Sequence, residues 1–158
     1  MNEVYEYLAL AEPIQTANVT ARVTARIEAI NVDEGSAVEP GQTLLTLDHR
    51  EIRAKLKGVE ARILQTRAEL EGNQATVAAL KKSLAYWSRE AKRETELEAS
   101  GAIPPSEAEQ TVERKDDIEG KLKAARQKSK AIEAQIHSLE AQQEELETVL
   151  SYCVVKSR

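Results

Sequence analysis

Phenylalanine is absent from this 158-residue chain, whose aromatic side chains are one tryptophan and four tyrosines. Aromatic side chains supply much of the buried area in ordinary cores, so a thick globular core is not expected here. Charged residues make up 31% of the sequence, and Ala, Glu, Gln, Lys and Leu are frequent. This composition predicts long, exposed helices that bury only a narrow apolar seam.

Other absences exclude whole classes of function. The net charge is -5, and an acidic chain gains nothing from phosphate neutralisation, so nucleic acid is not an expected partner. No apolar run approaches the length of a membrane span. Cys153 is the single cysteine, which excludes an internal disulfide. The start of the chain lacks the features of a signal peptide, so either the protein is cytosolic or a targeting segment lies outside this sequence.

The first part of the chain has a β pattern. Apolar residues alternate with Thr and Arg from Val19 to Ile27, which predicts a strand with one buried face. Turns are predicted at 33–36 and at 39–42, the second with Pro and Gly placed for a type II turn. A further strand is predicted at 44–47. Residues 1–16 are interpreted as a leading strand or linker, with a short strand around Val4–Leu8.

A long heptad pattern follows. Asp48 is suited to cap a helix, with Glu51 completing a capping box. The helix is predicted to run for roughly 50 residues, or about 70 Å. Its apolar residues recur at alternating steps of three and four, with Thr66 and Asn73 filling two polar gaps. The predicted seam of this helix consists of Ile52, Leu56, Val59, Ile63, Leu70, Val77, Leu80, Leu84, Trp87 and Ala91.

A second helix with the same spacing is predicted after a loop at 100–106. Gly101 is expected at the C′ position of the first helix, and Ser106 is expected to cap the second with Glu109. The second helix should end near Thr148, followed by a strand from Leu150. Its predicted seam consists of Ile118, Leu122, Ala125, Ile132, Ile136, Leu139 and Leu146, with polar breaks at Ser129 and Gln143.

Two long seams joined by a short loop predict an antiparallel coiled-coil hairpin over 49–149. If the turn is centred near Ile103, Val59 faces Leu146, and Gly120 faces Trp87. The fold class is therefore mainly α with a small β part.

The sequence carries no pattern for catalysis. His49 and His137 stand without cysteine or carboxylate ligands at metal-binding spacing, and most carboxylates have cationic partners four residues away. Phosphate-binding loops, nucleophile elbows and zinc motifs are missing. The protein is therefore not expected to be an enzyme, and no catalytic, metal-binding or cofactor-binding residue is assigned.

The β segment resembles the first half of a lipoyl or biotinyl domain, residues 17–48. In the cofactor carriers, a lysine occupies the turn after the last of these strands, whereas this chain has His49-Arg50-Glu51 and a helical hairpin there. No cofactor is therefore expected. Residues 150–158 resemble the start of the second half. The residues that carry the resemblance are Val23, Ile27, Ile30, Val32, Glu34, Gly35, Val38, Pro40, Gly41, Gln42, Leu44, Leu47 and Asp48.

A hairpin inserted at that turn is similar to the architecture of HlyD/AcrA-type membrane fusion proteins, over about residues 17–158. The resemblance implies a non-catalytic periplasmic adaptor, associated with the inner membrane, that links an RND or ABC transporter to a TolC-type outer-membrane channel. It also implies a homo-oligomer, a hexamer in the full assembly. The chain stops where the family continues into the second lipoyl half and a β-barrel domain, from which residues 1–16 would lead, so a fragment is expected.

The family's tip motif places Arg93, Leu97 and Ile103 at the channel-contacting end of the hairpin. Pro104 stands where the family has serine, and Ser106 is its expected replacement, so the docking mode departs from the family pattern. Two other readings are a cytosolic coiled-coil scaffold and a cofactor-carrier domain. The scaffold does not explain the β turns, and the carrier lacks its lysine.

Overall fold

The computed structural model describes residues 12–14 and 16–157, so the strand expected around Val4–Leu8 lies outside the described residues. The chain divides into two compact units, residues 50–149 and the segments that precede and follow them. The predicted fold class, a long helical hairpin with a small β part, is confirmed. The elements are β1 (Ile27–Ile30), β2 (Thr43–Leu47), α1 (Arg50–Ala99), α2 (Pro105–Ser151) and β3 (Val154–Lys156).

The two helices bury the predicted seam. Every apolar seam position named from the sequence is buried or half-buried. Leu122 and Ile132 are only 3% and 5% exposed, whereas Leu64, on the outer face of α1, is 67% exposed. The heptad spacing alone therefore located the interface between the helices, because residues three and four apart share one helix face.

A polar layer fixes how the two helices are aligned. The Asn73 side-chain nitrogen donates to the Ala125 carbonyl and to the Ser129 hydroxyl, each at 2.8 Å. Of the predicted polar breaks, Asn73 and Ser129 therefore meet and satisfy each other. The Thr66 hydroxyl and the Gln143 amide instead donate within their own helices, to the Arg62 carbonyl and the Glu147 carboxylate. A polar residue at a seam position selects one alignment, because any slip leaves it buried without a partner. Outside the seam, Arg67 reaches Glu140 at 2.8 Å.

The predicted position of Gly120 opposite Trp87 is wrong. The Trp87 ring is covered by the Arg114 guanidinium, 4.9 Å from the ring centroid. A Cβ on Gly120 would meet no heavy atom within 4 Å, so no bulky side chain requires glycine there. The second helix begins at Pro105, earlier than predicted, so each α2 residue lies farther from the tip, and Arg114 rather than Gly120 lies at Trp87. At the other end of the hairpin, Val59 and Leu146 line one groove.

The sheet has the antiparallel order β1-β2-β3. Its connection contains the two predicted turns, with Gly35 at φ 80° and Gly41 at φ 82°. The Gln42 amide donates to the Glu39 carbonyl at 3.1 Å, which with the positive φ at Gly41 completes a type II turn. Here glycine is required because side chains disfavour positive φ.

Two predicted strand boundaries are wrong. β1 spans Ile27–Ile30, and the alternating stretch from Val19 to Arg26 is in no strand, because β2 begins to pair with it only at Ile27. An alternating segment becomes a strand only where a neighbouring strand satisfies its backbone hydrogen bonds. Val19, which was expected on a buried face, is 44% exposed. At the other end, α2 continues to Ser151 and β3 begins at Val154, not at Leu150.

Candidate partner-binding site at the hairpin tip

The first helix ends in a Schellman cap. Gly101 has φ 76°. Its amide donates to the Glu98 carbonyl at 2.8 Å, and the Ala102 amide donates to the Leu97 carbonyl at 2.9 Å. These are the two hydrogen bonds of that cap, with glycine at C′ as the sequence predicted. The last carbonyls of α1 are thereby satisfied, so the chain can reverse direction within a short loop.

The second helix begins at Pro105, and the predicted Ser106 cap is wrong. Proline suits the first helical position, since its φ is already helical and its missing N–H would have no partner there. The Glu107 amide donates to the Pro104 carbonyl at 3.1 Å. Ser106 therefore lies inside the first turn of α2 with an exposed side chain, rather than in front of the helix.

The four predicted contact residues lie on three adjoining pieces of chain around this loop. Arg93 and Leu97 are on the last two turns of α1, Ile103 is in the loop, and Ser106 is on α2. The Arg93 side chain is 66% exposed and pairs with Glu90 three residues earlier. Leu97 is 38% exposed and Ile103 is half-buried. The end of the hairpin thus offers an apolar side chain near a cation, which suits contact with a protein surface.

A groove beside the tip was missed by the sequence analysis. Its volume is about 380 Å³, and its lining consists of Thr95, Glu98, Ala108, Glu109, Val112 and Glu113. Ala108 and Thr111 are buried and extend the α2 seam toward the tip. The signal was present, because both follow the three-and-four spacing back from Ile118. It was overlooked because the residues are small or polar.

Among the described residues, three groups outside the tip have displaced pKa values. A hydrogen bond from Lys55, together with its positive charge, lowers the pKa of the Glu51 carboxyl. The Arg67 hydrogen bond is the main cause that lowers the pKa of the Glu140 carboxyl, with a smaller contribution from His137. Burial raises the pKa of the Cys153 thiol, which is fully enclosed. Desolvation penalises the thiolate, so this cysteine is kept in its unreactive form.

The histidines have separate local partners. His49 Nδ1 lies 3.5 Å from a Glu28 carboxylate oxygen, and His137 Nδ1 lies 3.3 Å from Glu140. Across residues 12–14 and 16–157, no three His, Cys, Asp or Glu side chains converge in a way that could hold a metal ion. In the same residues, no helix combines the length and apolar character needed to cross a membrane.

Comparison with known proteins decides the family. Residues 15–138 match the family model described as RND MFP, barrel-sandwich hybrid domain. The chain belongs to this membrane fusion protein family. The resemblance drawn from the lipoyl-like half-motif and the inserted hairpin is therefore confirmed. The groove and the capped tip described above are features of the helical part of a membrane fusion protein.

Curated relatives carry the description UPF0194 membrane protein. One from Yersinia pseudotuberculosis serotype O:3 (strain YPIII) is 30% identical over 127 residues, which cover 73% of this chain and 39% of that protein. A relative of the same description from Yersinia pestis gives the same values. The chain thus spans about two fifths of the length of these relatives.

Two solved structures are similar to this chain. The crystal structure of MacA from Actinobacillus actinomycetemcomitans has a TM-score of 0.53 and 22% identity, covering 91% of this chain and 40% of that one. The periplasmic adaptor protein EmrA has a TM-score of 0.47 and 15% identity, covering 88% of this chain and 62% of that one. At this identity, the likeness to MacA shows a common arrangement of helices and strands.

Proposed function

We propose that the whole protein is a non-catalytic periplasmic adaptor, associated with the inner membrane, that joins a transporter there to an outer-membrane channel. The observation that carries the proposal is a long hairpin in a chain of this family, with its apolar seam closed internally and its tip exposed. A helix of 50 residues is roughly 75 Å long. Such a hairpin serves to reach a distant partner rather than to enclose a substrate.

In this proposal the hairpin tip contacts the channel. Leu97 is the apolar anchor and Arg93 the adjacent cation, while Ile103 supports the loop between the helices. None of the three is fully buried, so a partner can reach them without unfolding the hairpin. Arginine and partly exposed apolar side chains are typical of interface anchors.

The loop chemistry changes how the tip would dock. Pro104 has no hydroxyl to offer at the position where the family has serine. The exposed Ser106 side chain, on the first turn of α2, provides the nearest hydroxyl. We infer that any hydrogen bond that the family makes at this point is made from α2 here.

The adaptor works as an assembly, in which copies of the chain form a ring, a hexamer in the full complex. The transporter is of the RND or ABC type, and the description of the matching family favours RND. Neither the ring nor the transporter requires a catalytic residue from this chain, since energy for transport is supplied by the transporter.

The test is charge reversal at the tip of the full-length protein. Arg93→Glu should abolish export in cells while leaving the thermal melt of the protein unchanged, because the exposed side chain pairs only with a neighbour on its own helix. Arg126→Glu, on the exposed shaft of α2, is the matched control and should preserve export. Normal export by Arg93→Glu, or a large fall in its melting temperature, would contradict the proposed contact. Cytosolic location of the full-length protein would contradict the adaptor function as a whole.

A further inference from the structure

The groove beside the tip, here called the distal groove, has an apolar floor and an acidic rim. Ala108, 2% exposed, and Val112 line it together with Thr95. Its remaining lining residues are three glutamates, Glu98, Glu109 and Glu113, and no lysine or arginine lines it. The groove therefore combines space for small apolar side chains with negative charge on both helices.

The acidity is not a general consequence of hairpin construction. A second groove between the same two helices, near the other end of the hairpin, has a volume of about 470 Å³. It is lined by two cations, Lys55 and Arg62, and by one carboxylate, Glu145, around Val59 and Leu146. Both grooves have an apolar floor, but only the distal one has charge of a single sign.

The rim carboxylates of the distal groove form no ion pair with the described part of the chain. Among the ion pairs of the described residues, none involves Glu98, Glu109 or Glu113, whereas Glu51, Glu90 and Glu140 are each paired. Nearby Arg114 covers the Trp87 ring instead. From Glu94 to Glu113 the sequence contains six glutamates and neither lysine nor arginine. The cations that flank this stretch have other partners: Arg93 pairs with Glu90, Arg114 covers Trp87 and Lys115 pairs with Asp116, so the glutamates of the rim are left without an ion pair in the described residues.

A buried carboxylate oxygen in the same region also lacks a hydrogen-bond partner among the described residues. The Glu94 oxygen Oε2, one helical turn before Glu98, is shielded from solvent and has no hydrogen-bond partner within the described part of the chain. Buried polar atoms are normally satisfied, so an exception calls for an explanation. A cation that approaches this end of the hairpin would lower the cost of holding these carboxylates close together.

We propose that the distal groove docks a helical segment of a partner protein that carries lysine or arginine beside small apolar side chains. The apolar side chains occupy the floor at Ala108 and Val112, and the cations pair with the glutamates of the rim. The inference rests on the proposed function in one respect: a ring of copies brings several acidic tips together. Their mutual repulsion is removed when a basic partner binds at that end.

The test uses two synthetic helical peptides and this chain. One peptide has alanine and leucine on one face, flanked by lysine and arginine, and the other has glutamate in place of every cation. Binding is followed by fluorescence anisotropy of labelled peptide at several salt concentrations. The basic peptide should bind, more weakly as salt rises, and the acidic peptide should not. Equal binding of both peptides would overturn the proposal, because it would show that the apolar floor alone is responsible.

Matched variants separate the groove from net charge. The triple variant Glu98→Gln, Glu109→Gln, Glu113→Gln should weaken binding of the basic peptide about tenfold or more. The control triple variant Glu60→Gln, Glu133→Gln, Glu144→Gln changes net charge equally, on exposed positions of the shaft, and should leave affinity nearly unchanged. Equal loss in both would overturn the proposal, since affinity would then follow net charge. Circular dichroism confirms that each variant keeps its helix content.

The peptide assay does not depend on transport, so the two proposals fail separately. Normal export by Arg93→Glu, together with peptide binding that is lost only in the groove variant, would reject the tip contact and support the groove. Loss of export by Arg93→Glu, together with no peptide binding by the unaltered chain, would support the tip contact and reject the groove.

Discussion

The hairpin and the sheet differ in how much of their apolar surface the chain itself covers. Along the hairpin, residues such as Ile63, Leu122 and Leu139 are at most 5% exposed. In the sheet unit, Ile30 is 66% exposed and Ile27 is 51% exposed. The buried residues there are Leu47 and Cys153, which adjoin through a 2.8 Å hydrogen bond from the Leu47 amide to the Cys153 carbonyl.

The difference shows which element is complete without a partner. Each seam residue of one helix finds a cover on the other helix, so the hairpin closes its own narrow core. Within residues 12–14 and 16–157, the three strands form one layer, which leaves a face and two edges of the sheet open. The order of the hairpin should therefore not depend on the sheet, whereas the sheet should respond to whatever covers it.

The largest expected effect is a cavity in the seam. Leu122→Ala should lower the free energy of unfolding of the hairpin by about 3 kcal/mol, because the side chain is almost fully buried. Leu84→Ala, at a half-buried seam position, should cost about 2 kcal/mol. Leu64→Ala, on the exposed face, is the control and should stay within about 0.5 kcal/mol. Urea unfolding followed by circular dichroism measures all three, and equal costs would contradict the seam.

The sheet should make this chain associate. Open strand edges and exposed apolar side chains recruit further copies, so we expect oligomers at micromolar concentration by light scattering. Ile30→Lys should reduce association by placing a charge on the exposed strand β1. Lys57→Ile, which changes the charge on the hairpin, is the control and should not reduce association. Hydrogen exchange should be slow along the seam and fast in the strands. A monomer whose strands are fully protected from hydrogen exchange would contradict the proposed difference between the hairpin and the sheet.

A smaller effect is expected from the polar layer inside the hairpin. Asn73 and Ser129 are joined by a 2.8 Å hydrogen bond. A double-mutant cycle with Asn73→Ala and Ser129→Ala should give a coupling energy of about 1 kcal/mol, typical of a partly buried neutral hydrogen bond. A cycle between Asn73 and Gln143, which are not joined, is the control and should show no coupling. No coupling between Asn73 and Ser129 would mean that this layer does not set the alignment.

Local signals predicted much of the fold. The heptad spacing identified both helices and most of the apolar seam positions, because the period of an α-helix fixes which residues share a face. Ala108, near the tip, was the buried apolar position that was overlooked. Gly101 at the C′ position and the Pro40-Gly41 turn were predicted because the required backbone angles restrict the choice of residue. The four tip residues were assigned through the resemblance to the tip motif of the family, and what they bind stays a proposal.

Other features required the three-dimensional arrangement. The Val19–Ile27 alternation predicted a strand that is mostly absent, because a strand exists only where another strand pairs with it. Proline at the first helical position displaced the predicted Ser106 cap, and Gly120 does not face Trp87. The distal groove depends on side chains from both helices, so its acidity became visible only once the two helices were aligned.

The sequence by itself determined the two helices, their seam and the loop that reverses the chain, since these depend on interactions between residues close in number or on one repeating period. Only the tertiary structure decided which residue of α2 lies opposite each residue of α1, where each strand ends and how charge is distributed around the tip. These properties depend on contacts between residues far apart in the chain. A pattern within one segment cannot specify them, because the free energy of such a contact belongs to both partners.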